Sequence, residues 1–247
     1  MREFLAAVRF LTILPVPGRW GTAEEDLPGS SAYFPVVGLL LGIVAAGVAI
    51  GLSHVLPPWP AMAAVVIVLI AFSGGLHMDG LSDTADGFMS SRPKERILEI
   101  MKDSRIGAMG AIAISSCMLM KFSSMMLMNQ ESFWRAALLM PLAGRSAIVI
   151  QMATLPYARP EGGLGAIFYR NKSVVPVIVA TLLMAASGWV LFGRGGLVAM
   201  GVVVAGTFLF NMVCRRKIGG ATGDTLGASC EIAETLCVVA LCASPVR

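Results

Sequence analysis

Charge is what this chain has least of. Only 14% of its 247 residues are Asp, Glu, Lys or Arg, against roughly 25% in a soluble domain. With 56% hydrophobic residues, that deficit excludes an ordinary soluble globule. It predicts an all-α, polytopic membrane bundle, with residues 1–247 forming one domain. A net charge of +4 is too small to argue for a nucleic-acid partner. Cys117, Cys214, Cys230, Cys237 and Cys242 lack metal-ligand spacing and lie in or beside apolar runs, so they read as small core residues. No secretory leader is predicted at the start either: the apolar run 4–8 is short, is followed by Arg9, and has no small-residue cleavage site after it.

What the chain does have is about seven apolar segments, near 34–56, 59–76, 107–128, 133–154, 174–193, 196–214 and 229–244. Each approaches the roughly 20 residues that cross hydrocarbon as a helix. Residues 2–19, with Arg2, Arg9 and Arg19 around an apolar centre, suit an interfacial helix. On this topology 14 cations fall on one side, and only Arg135, Arg194 and Arg247 on the other. The cation-rich side is the cytoplasmic one, which puts the amino terminus inside. Trp59, Trp134 and Trp189 then sit at outer ends, as an aromatic belt would. Gly38 and Gly42 form a small-xxx-small face that allows close helix packing and permits self-association.

The scarce charge is concentrated. Asp79, Asp83 and Asp86 lie within eight residues, and on a helix they share one face at i, i+4 and i+7. Like charges so placed repel unless a cation sits against them. Mg²⁺ takes one or two carboxylates completed by substrate phosphates. Residues 92–105 follow, basic, with Pro93 suited to a helix's first turn. Ile97, Ile100 and Met101 make an apolar stripe there that suits the membrane surface. Lys102 and Arg105 at its end could hold phosphate oxygens, and Asp103 could join the metal group. Lys121, near the outer end of the third segment, can snorkel to the interface. Arg145, mid-membrane, needs a partner: a carboxylate such as Glu231 or Glu234, or a substrate phosphate. Closely spaced glycines at 219–227 precede a helix and let backbone N–H groups approach a phosphate. No Gly-Lys-Ser/Thr follows them, which excludes a Walker A loop. Glu231 and Glu234 enter the last segment at i and i+3, facing inward.

Six pieces in order resemble the cobalamin synthase family, the membrane-bound adenosylcobinamide-GDP ribazoletransferases. They are 10–17 (FLTILPVP), 33–38 (YFPVVG), 74–87 (GGLHMDGLSDTADG), 101–107 (MKDSRIG), 144–145 (GR) and 219–228 (GGATGDTLGA). The resemblance implies a Mg²⁺-dependent transfer that joins adenosylcobinamide-GDP to α-ribazole, or its 5′-phosphate. The products are adenosylcobalamin (or its phosphate) and GMP, in the cytoplasmic membrane of a prokaryote. It implies Asp79, Asp83, Asp86 and Asp103 for metal, and His77 or a spare carboxylate for the hydroxyl proton. Arg105, Lys102 and Arg145 would take phosphate oxygens, with Gly220, Thr222, Gly223, Asp224 and Glu231 lining the substrate side.

Two other classes compete. A CDP-alcohol phosphotransferase-like phospholipid enzyme also pairs an Asp-rich helix with a membrane bundle, but its Asp-Gly-x-x-Ala-Arg opening is absent: Asp79-Gly-Leu-Ser runs into Asp83-Thr84. A transporter should gather its charges at the bilayer midplane, whereas here most lie in the cytoplasmic loops.

Overall fold

The computed structural model describes residues 1–159, 161–170 and 173–243, with the side chain of Leu164 left out. Lys172 and Arg247, two of the cations used to argue topology, lie outside the described residues. Among the described residues the chain is helical: α1 (Arg2–Leu11), α2 (Leu27–Ser30), α3 (Phe34–Ser53), α4 (Pro58–Phe72), α5 (Leu76–Phe88), α6 (Lys94–Ile100), α7 (Ala108–Met126), α8 (Gln130–Thr154), α9 (Leu164–Ile167), α10 (Val175–Ile218) and α11 (Gly223–Cys242).

α8 is the hub, with every residue from Leu139 to Gln151 buried. Its start is fixed locally, because the Asn129 side chain accepts a 2.8 Å hydrogen bond from the Ser132 N–H. Gly38 and Gly42 of α3 lie against the Pro141 and Leu138 carbonyls of α8. The small-residue face is therefore spent inside the chain, and the self-association it was expected to permit gains no support from it. Leu40, Ile43, Ile112, Leu119, Leu182, Val190 and Leu209 are exposed on α3, α7 and α10. A soluble protein seldom exposes so much contiguous apolar surface; a membrane bundle presents it to lipid.

The expected count of seven spans is not confirmed when α10 is counted as one helix. By length and apolarity five helices could cross a membrane, or six if α4 and α5 are one broken span. The second expected span stops at Phe72, because Gly74 (φ 62) and Gly75 (φ 76) take left-handed conformations. α5 then leaves α4 at 88°, and we read it as lying along the end of the bundle. The fifth and sixth expected spans are joined in α10, 44 residues long and broken at Gly193 (φ 56, ψ −131). Gly188 and Gly196 touch backbone to backbone, although eight residues of straight helix would separate them by about 12 Å. Gly193 thus folds the two arms together.

The cation-rich loops gather at one end, as their shared charge suggests. Lys102 pairs with Glu161 and Arg170 with Glu24. The Lys217 ammonium donates to the Phe88 carbonyl at 2.8 Å. α1 closes this end: Arg9 donates to the Val16 and Gly18 carbonyls, and the Ile13 N–H to the Phe72 carbonyl at 2.8 Å. Ile97 of α6 and Met101, just past its end, are buried with Phe88 and Ile218. The stripe expected on the membrane surface is therefore partly a protein contact. An apolar stripe records what it avoids, which is water, and not which apolar partner it meets.

Candidate active site

The site is made where α5 crosses α11. The crossing is close because Gly80 and Gly227 face each other: the position a Cβ would take on Gly227 is 3.3 Å from the Gly80 Cα and the His77 Cα. α11 starts there with a reciprocal cap. The Thr222 hydroxyl accepts from the Thr225 N–H at 3.3 Å, and the Thr225 hydroxyl accepts from the Thr222 N–H at 2.8 Å. Gly219, in a left-handed conformation (φ 78), ends α10 just before it.

A cavity of about 260 Å³ opens at this crossing. His77, Asp79 and Gly80 of α5 line one side, with Gly223, Asp224 and Gly227 of α11 beside them. Tyr157 and Arg159 come from the segment after α8. The facing wall is aromatic: Phe10, Phe34 and Phe168. The Phe168 ring is 4.7 Å from Phe10 and 5.3 Å from Phe34, centroid to centroid. Arg159 donates to Asp224 at 2.6 Å and keeps a buried Nε without a partner.

Asp79 also lines an adjoining cavity of about 490 Å³ with Ser82, Asp83 and Ser104. Asp83 is pushed up to about 7 by burial, then by the Asp79, Asp224 and Asp86 carboxylates around it; Arg159 opposes them only in part. Asp86 opens onto a third cavity, about 300 Å³, shared with Asp103 and Arg105. Its oxygens accept from the Gly107 N–H at 2.7 Å and the Gly110 N–H at 2.9 Å, pinning α5 to the start of α7.

The expected site residues thus separate by position. Asp79 and Asp83 share one cavity, and Asp86 faces the next. Asp103 is held at about 2 by hydrogen bonds from Arg105, and the Arg105 guanidinium is otherwise exposed. Lys102 is half exposed in its pair with Glu161. Gly223 and Asp224 reach the cavity at the crossing. Gly220 instead packs on the Pro156 carbonyl, and Thr222 is the buried cap.

Lys121 departs from its expected place. It is 3% exposed, with Nζ 2.6 Å from Glu231 and 2.7 Å from Glu234. Snorkelling needs a lipid-facing position, and Lys121 is on the face of α7 turned to α11. Arg145 finds its partner in Glu234 at 2.5 Å and approaches His77 Nδ1 at 3.4 Å. Arg145 and Glu231 lie in this buried network behind the cavity, not on its wall. Sequence reasoning missed Arg159, which it counted only as a topological cation, and the three phenylalanines, whose convergence from residues 10, 34 and 168 leaves no local signal.

Among the described residues, no three His, Cys, Asp or Glu side chains form a metal cage of their own. Crowded carboxylates that raise Asp83, with a single guanidinium against them, are nevertheless short of positive charge. That donor set fits Mg²⁺ held by one or two carboxylates and completed by substrate phosphates.

A family model described as cobalamin-5-phosphate synthase matches residues 3–242. Proteins named adenosylcobinamide-GDP ribazoletransferase are similar along nearly the whole chain. The Roseiflexus sp. protein is 42% identical over 248 residues, 98% of this chain and 90% of its own. That of Desulforamulus reducens is 41% identical over 229 residues, covering 93% and 91%. That of Geotalea daltonii is 35% identical over 243 residues, covering 98% of each. No solved structure matches. With its acidic α5, its α5–α11 crossing and this full-length match, the chain belongs to the cobalamin-5-phosphate synthase family.

Proposed function

We propose that this chain joins adenosylcobinamide-GDP to α-ribazole, or to its 5′-phosphate, at the cytoplasmic face of a prokaryotic membrane. The ribazole hydroxyl oxygen bonds to the phosphorus attached to the cobinamide. The bond from that phosphorus to the bridging oxygen breaks, and GMP leaves with the electron pair. The hydroxyl proton passes to a carboxylate of the Asp79, Asp83 and Asp224 group. The products are adenosylcobalamin, or its phosphate, and GMP.

The observation that carries this reading is the two-sided cavity at the α5–α11 crossing. Its aromatic wall of Phe10, Phe34 and Phe168 suits a flat base. Its polar wall offers Arg159, with a spare N–H, to a phosphate oxygen. Mg²⁺, held by Asp79 and Asp83, would neutralise the diphosphate and the departing GMP. The residues position the two substrates, and most of the rate comes from that positioning and from charge stabilisation.

The test is purified protein in lipid, supplied with adenosylcobinamide-GDP, α-ribazole and Mg²⁺. GMP release matched by corrinoid product supports the reading. Turnover of a CDP-activated lipid with none of these substrates, or solute flux without chemistry, overturns it.

A further inference from the structure

Behind the cavity wall lies a buried chain of charges that the reaction as written does not use. Lys121 donates to Glu234 Oε2 at 2.7 Å, and Arg145 donates to Glu234 Oε1 at 2.5 Å. A second Arg145 nitrogen, Nη2, is 3.4 Å from His77 Nδ1. Lys121, Glu231, Glu234 and Arg145 supply two positive and two negative charges, so the network is balanced and holds Arg145 in place.

We propose that this network fixes the tautomer of His77, so that Nε2–H donates a hydrogen bond to an oxygen of the reacting diphosphate. A guanidinium has donors only, so Nδ1 must be the acceptor in its contact with Arg145. A neutral imidazole with a lone pair on Nδ1 carries its proton on Nε2. Nε2 is buried without a partner in the protein, and His77, 2% exposed, lines the cavity. A buried donor in that position lacks its acceptor until a ligand supplies one. The base role that the sequence suggested for His77 needs a free lone pair on the ring; the one lone pair is already engaged by Arg145. Arg145, Glu234 and Lys121 are positioning residues that act through His77.

The proposal rests on the cavity being the transfer site, and its test keeps the two apart. The chain has only two histidines, and His54 lies at the far end of α3, so ¹⁵N-histidine labelling of the protein in lipid nanodiscs gives two separable rings. His54→Gln assigns them. The expected spectrum shows His77 as the Nε2–H tautomer; an Nδ1–H tautomer overturns the proposal whatever the activity. In the GMP-release assay, His77→Asn, whose amide occupies the Nδ1 position, loses about 10²-fold in kcat. His77→Gln, whose amide N–H can reach the Nε2 position, loses about tenfold less. Equal losses in the two variants, or no loss in either, overturn the donor role. Absence of GMP release by the wild-type protein overturns the transfer reading instead, and leaves the tautomer to the spectrum.

Discussion

Gly80 of α5 rests on the backbone of Asp224 in α11: a Cβ on Gly80 would stand 2.7 Å from the Asp224 carbonyl oxygen. That contact sets the separation between the acidic helix and the capped start of α11, and so the width of the cavity. Gly80→Ala has only backbone to push against. It is expected to destabilise the fold by about 1–3 kcal/mol, the usual cost of overpacking. GMP release should fall further than the stability loss explains. Thermal unfolding in detergent beside the kinetic assay checks this, and an unchanged rate would show that the crossing does not set the site.

The Lys121 pair with Glu231 and Glu234 is buried on both sides. Removing one member leaves a buried charge uncompensated, which costs about 3–5 kcal/mol, whereas removing charge from both partners costs far less. Lys121→Met should therefore be the less stable protein, and Lys121→Met with Glu231→Gln should recover part of the loss. Denaturant-induced unfolding of the three proteins gives the comparison. A double variant no better than the single one would contradict the pairing.

Asp83 has its carboxyl raised from an ordinary 3.8 to about 7. The folded protein therefore binds this proton more tightly than the unfolded chain does. The associated stability is fully present below about 4, and is lost as pH rises through about 7. Without divalent ions, the unfolding temperature should fall across that window, and Asp83→Asn should flatten the fall. With Mg²⁺ held by the same carboxylate, metal and proton compete, so less Mg²⁺ should be needed at higher pH. Mg²⁺ titrations of activity at several pH values test the second part, and a requirement independent of pH would contradict it.

Phe168 contacts both Phe10 and Phe34 in the aromatic wall. If that wall receives the base of α-ribazole, Phe168→Ala should raise the KM for α-ribazole about tenfold. Loss of an aromatic stacking partner is worth roughly 0.5–1.5 kcal/mol beyond its area. The KM for adenosylcobinamide-GDP should change little. A reversed pattern would place the base elsewhere.

Much of this architecture was legible in the sequence because membrane helices advertise themselves. The i, i+4, i+7 spacing of Asp79, Asp83 and Asp86 requires a helix to put them on one face, and α5 is that helix. The segregated cations foretold loops meeting at one end. Lys121 was misplaced because apolar neighbours look the same whether they face lipid or α11; its partners, Glu231 and Glu234, lie over a hundred residues away. Arg159 was hidden among cations that topology alone accounts for. The break at Gly74 and Gly75 escaped because glycine is ordinary in membrane helices, and only its φ shows which one bends the chain; the break at Gly193 falls where the fifth expected span ends. The separation of Asp86 from Asp79 and Asp83 depends on the Gly107 and Gly110 N–H groups that hold it, a contact without a spacing rule.

Everything in the proposed chemistry turns on Asp79, the carboxylate shared by the cavity at the α5–α11 crossing and the one adjoining it. The most direct measurement is Mg²⁺-dependent GMP release from adenosylcobinamide-GDP and α-ribazole by the lipid-embedded protein and by Asp79→Asn. The wild-type protein should release GMP and form corrinoid product in equal amounts, and the variant should lose at least about 10²-fold in kcat. Near-normal turnover by Asp79→Asn, with its Mg²⁺ requirement intact, would contradict the account.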